Sequence, residues 1–232
     1  MFENDWKLFK LQLKMIMQEK IVFFYTLIVP IIMAFLNNNL NFRGNEVLYI
    51  YWAYIVVTTV LNGFLMNLIR VRESGFFKQP SGLIDSNFSI LFTAFFAQLL
   101  VIQIQIFIFN LTIDCFITPV SSYTFLYGFL VSFLTTIISI SMMSILLLFK
   151  CKQRTFYVII NFFLFGGLLL LSTRPEGVWN YILTMINPFQ FIYALYSVPC
   201  IINSFSLILG VFTICYMLIG IIILSRLTKK NE

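Results

Sequence analysis

The sequence predicts an all-α membrane protein with six transmembrane helices and both termini in the cytoplasm. Three observations predict it. The first is composition: apolar residues make up 60% and charged residues 10% of the 232 positions, with a mean hydropathy of +0.95. Soluble domains carry about 25% charged residues, and a chain of this length in water could not hide so much apolar surface. The second is six long apolar runs. The third is a one-sided distribution of Lys and Arg. The length suits a single transmembrane domain over residues 1–232, without room for a further soluble domain of ordinary size.

A hydrocarbon core of ~30 Å needs about 20 apolar residues in a helix. Helix is the predicted state because lipid offers no partner to an unpaired backbone group, and the runs are too continuous for the alternating strands of a barrel. The spans are expected at about 21–36, 47–69, 84–113, 123–149, 155–173 and 204–227. Ahead of them, residues 1–20 read as an amphipathic helix. Lys7, Lys10, Lys14 and Gln18 recur at helical spacing, while Trp6, Phe9, Leu13, Ile16 and Met17 occupy the opposite side. Such a helix suits the cytoplasmic interface. The basic leader is too long for a signal peptide, and Asn37-Asn38-Asn39 is no small-residue cleavage site, so no cleavage is expected.

The connections are short. Residues 37–46 and 114–122 form the first two outer loops. The third outer segment begins at Arg174-Pro175-Glu176-Gly177 and is too polar and too broken for a span. Asn187-Pro188 divides it, since proline favours a helix start and holds the preceding residue out of helix. Two short helices dipping into the outer leaflet are expected, anchored by Trp179, Tyr181, Tyr193 and Tyr196; an ordinary interfacial loop is the alternative.

Of the 15 Lys and Arg, only Arg43 and Arg174 fall on that side. The others precede the first span, join spans two and three or four and five, or follow the last. The positive-inside rule makes the richer side cytoplasmic. A miscounted span would scramble the division, so the bias supports count and orientation together. It also accounts for the net charge of +6 without nucleic acid.

Chemistry is sparse. The sequence has no histidine, and Cys115, Cys151, Cys200 and Cys215 lack the spacing of a disulfide framework or metal site. A GxxxxGK[ST] loop is missing, as are paired carboxylates and HExxH, so no catalytic site is expected. The span interiors hold no ionisable residue, which counts against ion coupling. Asp85 and Asp114 sit near opposite ends of the third span, as a helix-dipole partner and a loop residue. Neutral polar residues do occur: Asn62 and Asn67, then Gln98, Gln103 and Gln105, then Ser132, Thr136 and Ser139 on one face. They serve either as interhelical glue or as the lining of a path.

The segment Arg70-Val71-Arg72-Glu73-Ser74-Gly75-Phe76-Phe77-Lys78-Gln79-Pro80-Ser81-Gly82 is basic and carries two aromatics. It suits either a short interfacial helix offering Phe76 and Phe77 to a partner's pocket or a loop whose rings touch lipid headgroups. In order along the chain stand an amphipathic helix, six spans, Arg72-Glu73-Ser74-Gly75 and Pro80 after span two, and Asn187-Pro188 before span six. That order resembles the membrane subunit of ABC exporters of the type-2 permease family. The resemblance covers nearly the whole chain. It departs where the family usually shows a leucine-rich stretch and this chain has Phe76-Phe77-Lys78.

The resemblance implies a permease without its own ATPase site. Two copies, or one copy and a sister permease, would each bind a separate ATPase subunit carrying ATP and Mg. The coupling helix would comprise Arg72, Glu73, Ser74, Gly75, Phe76, Phe77, Lys78 and Pro80, with further contacts from Lys150, Lys152 and Arg154. The second and fifth spans tend to line the path in this family, which makes Asn62, Asn67 and Asn161 candidates; Asn187 and Pro188 mark the outer gate, and Gly166-Gly167 permits close helix approach. The small size and Phe-rich spans resemble compact permeases of the Gram-positive plasma membrane that export, or confer immunity to, amphipathic antimicrobial peptides. A lateral path from the bilayer for such a peptide needs no strong polar site. Two other readings stay open: a stand-alone secondary carrier or channel, and a peptide-immunity membrane protein that transports nothing.

Overall fold

The computed structural model describes residues 2–37, 46–73, 87–149, 151–171, 178–198 and 204–229. Every regular element among them is helical. Helix α1 spans Phe2–Gln18 and α2 Lys20–Leu36. Next come α3 (Glu46–Thr59), a π-helical segment (Val60–Leu65) and α4 (Met66–Glu73), which together form one continuous apolar rod. Then follow α5 (Asn87–Phe116), α6 (Ser122–Met143) with a 3-10 turn (Ser144–Leu148), and α7 (Gln153–Leu171). The last are α8 (Val178–Ile186), α9 (Pro188–Ser197) and α10 (Ser204–Lys229).

Five of these rods are long and apolar enough to cross a membrane: Val47–Glu73, Phe88–Phe116, Ser122–Leu148, Gln153–Leu170 and Ser204–Leu227. A sixth arises if α1 and α2, bent 57° to each other, are taken as one broken span. The set is consistent with a multi-pass membrane protein. Each rod overlaps a predicted span, with ends shifted by a few residues, as helix termini commonly are. The largest internal shift is at the second span: the helix does not stop at Ile69 but runs through Glu73, because the side chains of its last turn find partners on neighbouring helices.

Local signals set the ends. Ser121 precedes α6 in extended conformation and its hydroxyl accepts from the Thr124 amide (3.2 Å), an N-cap bond. Asp114 accepts from the Val120 amide (2.7 Å) and closes the short turn between α5 and α6. Asn187 caps α9, with Pro188 at the first helical position, where its missing N–H costs nothing. Pro30 is tolerated inside α2; lipid-embedded helices accept proline when neighbours satisfy the freed backbone.

The rod Val47–Glu73 is the axis of the bundle. In its apolar window 94% of residues are buried, against 17% in α7 and in α10. It packs against α2, α5, α6 and α9, while α6 in turn carries α10. Trp52, Tyr49, Tyr196, Phe64 and Phe109 are among the largest fully enclosed side chains. Helix α1 lies along α5. It buries Leu8 and Gln12 and leaves Trp6, Leu11 and Met17 exposed. Of the expected apolar stripe of α1, Trp6 and Met17 are exposed while Phe9, Leu13 and Ile16 are half-buried; Trp6 stacks on Phe9 at 5.6 Å and Lys10 sits 5.2 Å over the Trp6 ring.

Candidate functional site

The last turn of α4 is bonded on two sides. Toward the N-terminus, Arg70 forms an ion pair with Glu19, the residue at the α1–α2 junction. One turn earlier, the buried Asn67 donates to Gln12 of α1 at 2.6 Å. On the other side, Arg72 donates through Nη1 to the Leu147 carbonyl (3.3 Å) and through Nη2 to the Cys151 carbonyl (3.1 Å). A guanidinium suits the unsatisfied carbonyls at a helix end. Glu73 accepts from the Gln153 amide at 2.6 Å, placing a carboxylate on the N-terminus of α7, where the helix dipole favours it. Three stretches far apart in sequence, 12–19, 67–73 and 147–153, thus meet at one end of the bundle. They fall at the segments before span one, between spans two and three and between spans four and five, which hold most of the Lys and Arg. Arg72, Lys152 and Arg226 line one hollow there, so α10 joins the same basic end.

A second set of polar contacts runs through the interior. Gln98 of α5 donates to the Thr59 carbonyl at 3.0 Å, where the π-helical segment begins. Gln105 donates to Thr26 of α2 (2.7 Å) and accepts from Thr59 (2.8 Å). Asn62 donates back to the Thr58 carbonyl at 3.1 Å. These groups fix α2, the axial rod and α5 to one another. Gln98, Gln105, Asn67 and Arg70 border a cavity of about 20 Å³, too narrow to be a substrate route. The polar residues of the third span therefore act as interhelical bonds, with one departure: Gln103 is buried and neither of its side-chain polar atoms has a partner.

At the opposite end, Asn187 accepts from the Phe189 amide (3.1 Å) and donates to the Gly167 carbonyl (3.0 Å). This ties the α8–α9 break to α7. A Cβ at Gly167 would lie 2.7 Å from the Phe189 ring, whereas Gly166 faces open space, so only Gly167 of the expected pair serves close approach. Between α7 and α8 lies an apolar groove of about 620 Å³, bordered by Phe162, Phe163, Leu170, Trp179 and Ile182, with Asn187 and Pro188 at its end. Tyr196 is not an interfacial anchor. It is fully buried, its hydroxyl bonding Ser132 (2.7 Å) and Thr135 (3.1 Å) of α6, and Tyr127 donates to its carbonyl. A tyrosine inside a bundle is satisfied when its O–H finds such partners. Trp179, by contrast, is exposed as expected.

Among the residues singled out from the sequence, Arg72, Glu73 and Lys152 come together, with Arg154 exposed on the first turn of α7. Ser74, Gly75, Phe76, Phe77, Lys78, Pro80 and Lys150 lie outside the described residues, as does Asp85. Asn62 and Asn67 are buried in the rod, while Asn161 is exposed on α7. The sequence reading missed Gln12 and Glu19 as partners of the second span, and missed the π-helical segment. The Asn62-Gly63 pair inside an apolar run is the signal that marks it, since that dipeptide breaks regular helix. A Cβ at Gly63 would lie 2.5 Å from Gln98 Oε1, so the glycine makes room for the bond to Thr59.

No family model, curated protein or solved structure matches this chain. Its class is therefore defined by its own architecture, a helical bundle with at least five rods apolar and long enough for a membrane.

Proposed function

We propose that this chain is the membrane-spanning permease subunit of an ATP-driven exporter, powered by a separate ATPase subunit and working as a pair with a second copy or a sister permease. In this reading α1 lies in the cytoplasmic interface, α2 is the first of six spans, α8 and α9 dip into the outer leaflet, and both termini are cytoplasmic. The observation that carries it is the clasp on the last turn of α4. Arg70, Arg72 and Glu73 connect that turn to the α1–α2 junction, to the end of α6 and to the start of α7. The rest of the basic segment 70–82 follows directly in the sequence. Displacing that segment would move several spans at once, and a lever of this kind is what an external motor needs to favour one of two packings.

Among the described residues no Asp, Glu, Lys or Arg side chain is buried, which favours an external motor over an ion-coupled carrier. The apolar groove between α7 and α8 supports an amphiphilic cargo, such as an amphipathic peptide, arriving from the bilayer.

The test is co-purification in mild detergent followed by an ATPase assay. A stoichiometric nucleotide-binding subunit whose ATPase is lost or uncoupled by Phe76→Ala/Phe77→Ala is the expected result. Purified protein that moves substrate alone under an ion gradient would replace this reading with a stand-alone carrier. Binding of peptide without flux or ATPase would make it an immunity protein.

A further inference from the structure

The hollow at the basic end of the bundle measures about 620 Å³, within the roughly 300–1,000 Å³ of small-molecule sites. Its two halves differ in chemistry. Arg72, Lys152 and Arg226 bring three positive charges to its rim, against the single carboxylate of Glu73. That carboxylate already receives the Gln153 amide. Arg72 is held by two neutral carbonyls, so hydrogen bonding orients the guanidinium but no counter-charge cancels it. The Lys152 and Arg226 side chains form no ion pair among the described residues.

The floor is aliphatic. Leu147 and Leu148 come from the 3-10 turn, and Ile223 and Leu227 from successive turns of α10. The track continues along the exposed face of α10 through Ile222 and Ile219, toward the middle of the rod. A soluble anion would use the rim and leave this track untouched; a partner protein's acidic side chain would do the same.

We propose that this hollow is a binding site for an anionic phospholipid. The phosphate sits between Lys152, Arg226 and Arg72, and one acyl chain lies along the exposed Leu148, Ile222 and Ile219. A net positive hollow between helices at the basic end of a membrane bundle recognises an acidic headgroup by charge, while the chain supplies apolar burial. The bound lipid bridges α4, the α6–α7 turn and α10, elements that the clasp alone leaves joined only in part.

Cys151 lies on the wall of the same hollow and is half-buried, so the protein carries its own reporter. In full-length protein with Cys115, Cys200 and Cys215 changed to Ser, the labelling rate of Cys151 by uncharged N-ethylmaleimide is measured in three kinds of detergent micelle. These contain phosphatidylglycerol, phosphatidylcholine, or phosphatidylcholine plus glycerol phosphate. Phosphatidylglycerol is expected to slow labelling about 5-fold relative to phosphatidylcholine, as occupancy at several times Kd would, and glycerol phosphate is expected to leave it unchanged. An anionic surface also lowers local pH and so thiolate content; that effect persists in any variant, whereas site protection does not. The exposed pair Lys152→Gln/Arg226→Gln is therefore expected to abolish most of the slowing. Equal slowing in wild type and double variant overturns the site. Equal protection by phosphatidylcholine, or by glycerol phosphate, overturns its preference for an anionic lipid. None of these readouts depends on an ATPase partner, so the lipid site and the exporter reading fail separately.

Discussion

Gly63 and Gln98 show how a single residue organises the axial rod. The π-helical segment Val60–Leu65 begins where Gln98 reaches the Thr59 carbonyl, and Gly63 leaves the room. Gly63→Ala is expected to push the amide off Thr59 and destabilise the bundle by about 1–3 kcal/mol, the usual range for overpacking. Thermal unfolding in detergent checks this, and an unchanged midpoint would mean that Gln98 swings aside at no cost. Gln103 makes the opposite case. Both polar atoms of a buried side chain lack partners, and replacing an unsatisfied amide by an apolar group of similar shape is neutral or stabilising. Gln103→Leu is therefore expected to leave the unfolding midpoint unchanged or raise it. A lowered midpoint would show that the amide has a partner in the assembled protein.

At the scale of elements, close approach is concentrated at particular glycines. A Cβ at Gly220 would meet the Ser141 backbone at 2.6 Å, and one at Gly167 the Phe189 ring at 2.7 Å, while Gly166 and Gly210 face open space. Gly220→Ala is expected to separate α10 from α6 and lower stability by about 1–3 kcal/mol. Gly166→Ala and Gly210→Ala are expected to be tolerated or slightly stabilising, since alanine is the better helix former. The contrast within one set of Gly→Ala variants is the measurement; uniform behaviour would refute the packing. Asn187 caps α9 and holds the Gly167 carbonyl. Asn187→Ala should cost about 0.5–2 kcal/mol for the cap alone, read as faster proteolysis around α8–α9. This element was legible beforehand, because Asn187-Pro188 forces a break whatever surrounds it. The burial of Tyr196 was not. A tyrosine in a short outer helix carries the same local pattern whether its ring faces lipid or α6, and only the hydroxyls of Ser132 and Thr135 decide between them.

At the scale of the whole molecule, the clasp determines how force would travel. Arg72→Gln retains a short donor but loses the guanidinium fork that reaches Leu147 and Cys151 together. In the exporter reading, this variant is expected to bind the ATPase subunit and hydrolyse ATP while moving substrate several-fold more slowly. Transport at the wild-type ratio to hydrolysis would show that the fork carries no coupling. The one-sided charge was visible in the sequence as a division of Lys and Arg among loops. The structure brings the charged stretches to one end through Glu19–Arg70 and Arg72–Cys151 and around the hollow shared by Lys152 and Arg226.

The helical class, the positions of the apolar rods to within a few residues, the α8–α9 break and the grouping of the charge were all legible from residues alone. Each of these follows from local properties: the hydrophobic length a bilayer demands, the geometry of proline and the cost of moving a cation through lipid. Which rod is the axis, which glutamines are bonded, which face of α1 is buried and what Arg72 holds emerge from packing between distant segments. Helices in lipid can be apolar all round, so periodicity does not mark the inward face. Partner choice there rests on small gaps and single hydrogen bonds between residues up to 82 positions apart, as in the Gln105–Phe23 contact.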